Sequence, residues 1–455
     1  MKKFLSLLFV FPVLVFAQTF PVQNLQVNGN STFAGTSGFT GLATFSVSPS
    51  MPTSASGNNT SNGATTSFVA AHAPCPSIVD YGADGTGVTF SDSAWTAVLA
   101  AQPAANVCVF FPKGIYRFNT STGITLPTGF AQVVIEGVSD GSSILFFPTA
   151  SSGIQVAMTD QKNSFHIRNL TVTTGSVGAA GSGIQITQSG ANTTNNYAQS
   201  DLTNLNIRGN DGIALLDYWS TGISTVGAQT VNVVNVKVDG QTTTENAGGY
   251  STLGIGMRVD GIAGSAQFAV IFNLVNVNFN YLGTGFVYGN YVQGVAIANS
   301  NFNGGVQGII TASGITGAAE LSVVNSQFGD SLYGIHVVSG TAIGPMNISN
   351  NLIYLHDSNS VGVYLEGTQG FTIMGNVVIG PGSGVTSFGF NIQQNFGLGG
   401  IITGNLLYNL SQASSVGVLL GATSANVNVQ SNKYVNVTTA TANAGAGNTI
   451  GGGSP

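Results

Sequence analysis

The sequence predicts an all-β chain built as a solenoid of short stacked strands, and three observations carry that reading. The first is a unit of glycine, apolar, any, apolar, any. It recurs as Gly183-Ile184-Gln185-Ile186, Gly212-Ile213-Ala214-Leu215, Gly256-Met257-Arg258-Val259, Gly285-Phe286-Val287-Tyr288 and Gly308-Ile309-Ile310-Thr311. It continues as Gly334-Ile335-His336-Val337, Gly362-Val363-Tyr364-Leu365, Gly389-Phe390-Asn391-Ile392 and Gly417-Val418-Leu419-Leu420. The units follow one another every 23 to 29 residues, except for an interval of 44 from Gly212 to Gly256. The second is a strand carrying an asparagine between units, at Asn169, Asn204, Asn235 and Asn276, extended by Asn351, Asn376, Asn405 and Asn432. The third is composition: 6% of the 455 residues are charged while 43% are hydrophobic.

Two alternating strands per turn of about 25 residues can bury their apolar side only against the turns above and below. An inward side chain then meets its neighbours about 4.8 Å away, so stacked like charges would repel and charge is scarce. Glycine is expected at bends that need a positive φ, and stacked asparagines can hydrogen-bond along their column. The same numbers exclude other classes. A disordered chain is poor in apolar residues, and 63 glycines without a Gly-X-Y period exclude collagen. Ten basic residues and a net charge of -6 leave no footprint for nucleic acid.

Element by element, Lys2 and Lys3 precede an apolar run from Phe4 to Phe16, and Val15-Phe16-Ala17 has the small residues of a cleavage site. Residues 1–17 read as a signal peptide, too short to span a bilayer, for a secreted or cell-surface protein. Cys75 and Cys108, the only cysteines, are then expected to form a disulfide. Residues 18–74 carry no Lys, Arg, Asp or Glu. Their Asn/Thr-rich phrases, such as Ala64-Thr65-Thr66-Ser67-Phe68-Val69, resemble phage tail-fibre repeats, with a flexible linker as the alternative.

Charge begins at Asp80, in Ile78-Val79-Asp80-Tyr81-Gly82-Ala83-Asp84-Gly85. Asp92 to Ala101 has helical spacing, and Val107-Cys108-Val109-Phe110-Phe111-Pro112-Lys113-Gly114-Ile115-Tyr116 reads as strand, turn, strand. This succession resembles the opening of the pectate-lyase-like superfamily, which includes rhamnogalacturonase- and epimerase-like proteins and many phage tailspikes. The resemblance implies a right-handed parallel β-helix over residues 75–440, with the helix as a small amino-terminal cap, and a polysaccharide as ligand. The family's usual Asp pair before the cap helix is here Phe90-Ser91-Asp92, which weakens a polar cap interaction. Residues 441–455 read as a flexible tail.

Strand alternation turns the two "any" positions of each unit outward. Two polar clusters emerge: Arg258 with Asp260, and His336, Tyr364 and Glu366 with Asn391 and Gln393. The long interval holds Asp217-Tyr218-Trp219 and, around Tyr250, Glu245-Asn246-Ala247-Gly248-Gly249. Aromatic faces beside carboxylates suit a sugar cleft, and glycosidases use two carboxyls about 5 to 9.5 Å apart. Asp217, Glu245 and Asp260 are therefore the candidate catalytic acids. Trp219, Tyr250, Arg258, His336, Tyr364 and Glu366 are the candidate sugar-binding residues. Simpler readings stand beside them: Arg258–Asp260 as a surface ion pair, Trp219 packed under its loop, and His356-Asp357 as a solvated turn.

The Asn-Thr-Asp, Gly-His-Gly and Arg-Ile-Lys motifs of polygalacturonase-like proteins do not occur, and no His/Cys set has metal spacing, so neither metal nor cofactor is expected. Two functions remain open: a β-helix that binds and cleaves a polysaccharide as hydrolase or lyase, and a non-catalytic surface or adhesive protein. An apolar outward column of Ala214, Leu216, Val287, Ile310 and Ala312 calls for cover, from a homotrimer or from the chain's own long loop.

Overall fold

The computed structural model describes residues 75–451 apart from 103–104, 127, 150, 161, 177–178, 190–197, 213–215, 242–249, 263–270, 316–318, 331, 341–342, 383 and 397. The expected signal peptide and fibre-like segment lie outside the described residues.

In the later turns the chain makes a strand, a sharp bend, a three-residue strand and then a third strand, as in Phe371–Met374, Val377–Ile379 and Ser387–Gln394, while in earlier turns the first two run together as one strand, as in Val231–Asp239. Each pairs in parallel with its counterpart one turn away. The first two kinds form a 23-stranded sheet and the third a 12-stranded sheet. Parallel crossovers of this kind are right-handed. The fold is thus the expected right-handed parallel β-helix. Apolar side chains stack inside it in columns, such as Phe279, Phe302, Phe328, Ile353, Val378 and Leu407, all essentially buried.

The recurring glycine has a different cause from the one expected. Gly334 and Gly362 do not have positive φ. A Cβ on Gly334 would lie 2.6 Å from the carbonyl oxygen of Gly362, and one on Gly362 would lie 2.7 Å from that of Gly389. Close stacking of successive turns, not a left-handed bend, excludes the side chain. The left-handed positions belong to the other bend, where Asn169, Asn204, Asn235 and Asn276 have φ between 53° and 58°.

The asparagine series is two columns rather than one. Asn169, Asn204, Asn235 and Asn276 form an outer ladder, each Nδ2 from Asn204 onward donating to the Oδ1 one turn back at 2.7 to 3.0 Å. Asn351, Asn376, Asn405 and Asn432 sit one position later and are buried. There each Oδ1 from Asn376 onward accepts both the backbone N–H and the Nδ2 of the preceding asparagine.

One unit was misassigned. The strand that aligns Ile223 with Ile184 and with Met257 is Trp219–Val226, so the true unit is Gly222-Ile223-Ser224-Thr225. Its polar Ser224 and Thr225 disguise it, and with Gly222 in place of Gly212 the intervals of 29 and 44 residues become 39 and 34. The carboxyl-terminal boundary also moves. Thr439–Asn443 pairs with Val416–Thr423, and Thr449–Ile450 pairs with Val427–Gln430, so strands continue past 440 where a flexible tail was expected.

At the other end the helix Asp92–Ala100 buries Ala94, Trp95 and Val98, with Trp95 stacked 6.3 Å from Phe111. Asp92 keeps a polar role, accepting the Asn119 N–H at 3.0 Å. Cys75 and Cys108 are joined as a disulfide.

Candidate functional site

The outer face of the 12-stranded sheet holds the clearest cluster. Pairing carries the first outward position through Gln185, Ser224, Arg258, Val287, Ile310, His336, Tyr364, Asn391 and Leu419. At three consecutive turns this face becomes aromatic and polar. Tyr333, just before the unit's glycine, places its ring 4.4 Å from the His336 imidazole. His336 in turn lies 4.9 Å from the Tyr364 ring at an interplanar angle of 12°. The imidazole is therefore flanked by two phenols.

Glu366 ties the stack together. Its Oε2 lies 2.9 Å from His336 Nε2, and its Oε1 accepts the Tyr364 hydroxyl at 2.9 Å. Burial pushes the Glu366 carboxyl up, but the bonds from His336 and Tyr364 outweigh it and hold it below its ordinary value. Burial, then the bond to Glu366 and its charge, push the Tyr364 phenol well above its ordinary value. At neutral pH the pair is thus an ionised carboxylate and a protonated phenol. His336 is 9% exposed, and its Nδ1 finds no partner among the described residues.

A loop flanks the same sheet. The chain leaves the turn of Asp239 and returns at Ile255, yet the Tyr250 ring lies 5.5 Å from His356. His356 precedes Val361, whose strand is four pairings beyond that of Ile255. The backbone at Ser251 reaches the bend at Gly305, two turns beyond Ile255 and about 10 Å along the axis, and the Tyr250 side chain extends from there toward His356. The loop backbone pairs there, Ser251 N–H donating to Gly304 O at 3.0 Å. Burial pushes the His356 imidazole down, against the weaker pull of Asp357, so it is neutral at pH 7. His356 stands exposed in its bend, as expected of a solvated turn, with its ring beside those of Tyr250 and Tyr354.

Of the expected residues, His336, Tyr364 and Glu366 come together, and Tyr250 stands on the flanking loop. The others do not join them. Trp219 is a core residue, 2% exposed, edge-on to Phe147 with its Nε1 donating to Val172 O. Arg258 and Asp260 form an ion pair in which the guanidinium Nε donates to Oδ2 at 2.6 Å, and Oδ1 also accepts Asn290 N–H. Asp217 is pushed up by burial and by Asp211 beside it. It precedes the strand Trp219–Val226, whereas Asp260 aligns with Val226 at the far end. The two carboxylates are therefore about 20 Å or more apart, across the width of the sheet. Glu245 lies outside the described residues. Asp260 and Glu366 are four turns apart, about 19 Å. Asp217, Asp260 and Glu366 thus make no carboxyl pair at glycosidase spacing among themselves.

The expected apolar column is mixed in exposure: Leu216 is 49% exposed, and Ile310 and Ala312 are partly exposed. Ala214 is outside the described residues, Leu216 precedes the true strand, and Val287 is 5% exposed within the single chain. Tyr333 was missed because the unit was read from its glycine onward, although an aromatic residue immediately before Gly334 is visible in the sequence.

No protein-family model matches this chain, and no curated protein matches it in sequence. Solved structures do. Tailspike protein 3 of bacteriophage CBA120 is 13% identical with a TM-score of 0.51, over 80% of this chain and 58% of that one. The tailspike of E. coli bacteriophage HK620 is 12% identical with a TM-score of 0.51, over 79% of this chain and 66% of that one. The surface protein and adhesin PfbA of Streptococcus pneumoniae is 14% identical with a TM-score of 0.48, over 81% and 99%. This chain thus spans less than two thirds of either tailspike. The likeness establishes a shared fold, the right-handed parallel β-helix.

Proposed function

We propose that this chain is a secreted or cell-surface β-helix that binds a polysaccharide along the outer face of its 12-stranded sheet. The observation that carries the reading is the Tyr333, His336, Tyr364 stack fixed by Glu366 beside the climbing loop. Sugar rings present C–H faces that pack on aromatic rings, and their hydroxyls pair with fixed phenols and carboxylates. A long, continuous face suits a polymer better than a small molecule. The disulfide agrees with an oxidising compartment.

Binding is favoured over hydrolysis at this place because both Glu366 oxygens are engaged and neither Asp217 nor Asp260 stands within reach. The test is affinity electrophoresis against a panel of plant and bacterial polysaccharides. Tyr333→Ala and Tyr364→Ala should each weaken retention about tenfold, the loss typical of a central aromatic contact. An unchanged thermal transition would serve as the folding control. Retention untouched by both substitutions would remove the site. New reducing ends that vanish in Glu366→Gln would replace binding by cleavage.

A further inference from the structure

The strands of the 12-stranded sheet carry one permanent cation, Arg258, and the sequence has no Lys or Arg between Arg258 and Lys433. The stack of Tyr333, His336 and Tyr364 lies within that span. Arg258 is itself spent on Asp260, through Nε to Oδ2 at 2.6 Å and NH2 to Oδ1 at 3.2 Å. Upstream, Lys162 bonds Asp160, Arg168 bonds Asp201 and Lys237 bonds Asp239. Neither histidine of the region supplies a free positive charge. His336 faces Glu366, and burial keeps His356 neutral at pH 7.

The acids of this face are equally committed. Glu366 is bonded on both oxygens, and Asp260 takes Arg258 together with the Asn290 N–H. A carboxylate, sulfate or phosphate on the polymer would find no unpaired cation here and would meet the ionised Glu366. An ammonium group would find no free carboxylate on the strands of this face; Asp357 stands exposed outside them, in the bend beside His356. What the face does offer is uncharged: phenol rings and hydroxyls, the amides of Asn391 and Gln393, and small side chains.

We infer that the polysaccharide bound on this face is uncharged, a polymer of neutral sugars rather than a polyuronate, a sulfated glycan or an amino-sugar polycation. The inference rests on the binding reading given above. Affinity electrophoresis of the full chain against matched polymers tests it, using galactan with polygalacturonate, mannan with mannuronan, and dextran with dextran sulfate, plus chitosan as the cation. The expected result is that the retaining polymer is a neutral member. Its binding should be at least tenfold tighter than that of its charged partner, unchanged as salt is raised, and lost in Tyr364→Ala. Equal or tighter binding of a charged member, lost in Tyr364→Ala and weakened by salt, would overturn the charge assignment and leave the site standing. Absence of retention by every polymer, or retention indifferent to Tyr333→Ala and Tyr364→Ala, would overturn the binding reading itself.

Discussion

At the residue scale, strand alternation made His336, Tyr364 and Glu366 legible, because every second residue after the unit's glycine must face outward. It failed for Trp219 and Asp217, since their strand begins where the sequence shows no glycine unit and its inward residues include a tryptophan. Asp330 was not legible at all: nothing in the sequence distinguishes an exposed turn aspartate from this one, buried within the helix with Gly305 N–H as its one bonded donor. Burial pushes its carboxyl well above the value of 3.8 it has in an unfolded chain. The native state therefore keeps a proton that the unfolded chain releases above that value. Stability from this group is full below it and falls as pH rises toward the folded value, by at most about 1.4 kcal/mol per pH unit. Asp330→Asn preserves an acceptor for Gly305 and cannot ionise. Its thermal transition relative to the parent should be level below pH 3.8 and rise as the pH goes above it. A difference that stays flat above that value as well would mean the carboxyl is ionised in place.

At the element scale, the two asparagine columns look alike in sequence and differ in what they do. The outer ladder occupies left-handed backbone, where asparagine is tolerated and glycine is better. The buried column replaces water for backbone groups that no strand satisfies: Asn376 accepts from Asn351 N–H and Nδ2 and donates to Ile348 O and Asn405 Oδ1. Spacing gave the period of both but could not say which position of the bend faces inward. Asn235→Gly should shift stability by less than about 0.5 kcal/mol, the allowance for a compatible glycine. Asn376→Ala leaves several buried groups unpaired and should cost about 3 kcal/mol or more. Denaturant midpoints of the two variants measure the contrast. Similar losses from both would show that the buried column is no more than a second outer ladder.

At the scale of the whole molecule, the repeat fixed the solenoid because each turn is stable only on its neighbours, and this leaves the first turn as the point where order must be started or sealed. The cap does this with Trp95 and Val98 on the helix and Ile78 ahead of it, all buried. It is tied to the first strands by the Cys75–Cys108 disulfide and by Phe110 N–H donating to Pro76 O. Opening it would bare the pairing edge of the strand Asn106–Phe111, which Ser77 bridges at Phe110, the kind of edge that recruits foreign strands. The disulfide closes a loop with a sequence separation of 33. Chain-entropy reasoning assigns such a loop about 3 to 4 kcal/mol, a model-dependent figure. Because turns transmit stability only to their neighbours, that loss should act locally before it acts globally. Reductant, or the double substitution of Cys75 and Cys108 by serine, should make residues 75–120 sensitive to protease at temperatures where the later turns still resist. The main thermal transition should follow at a lower temperature than in the oxidised protein. Simultaneous loss of cap and turns would instead mean that the cap and solenoid unfold as one cooperative unit. Identical protease patterns with and without reductant would mean that packing of Trp95 and Val98 alone holds the cap closed.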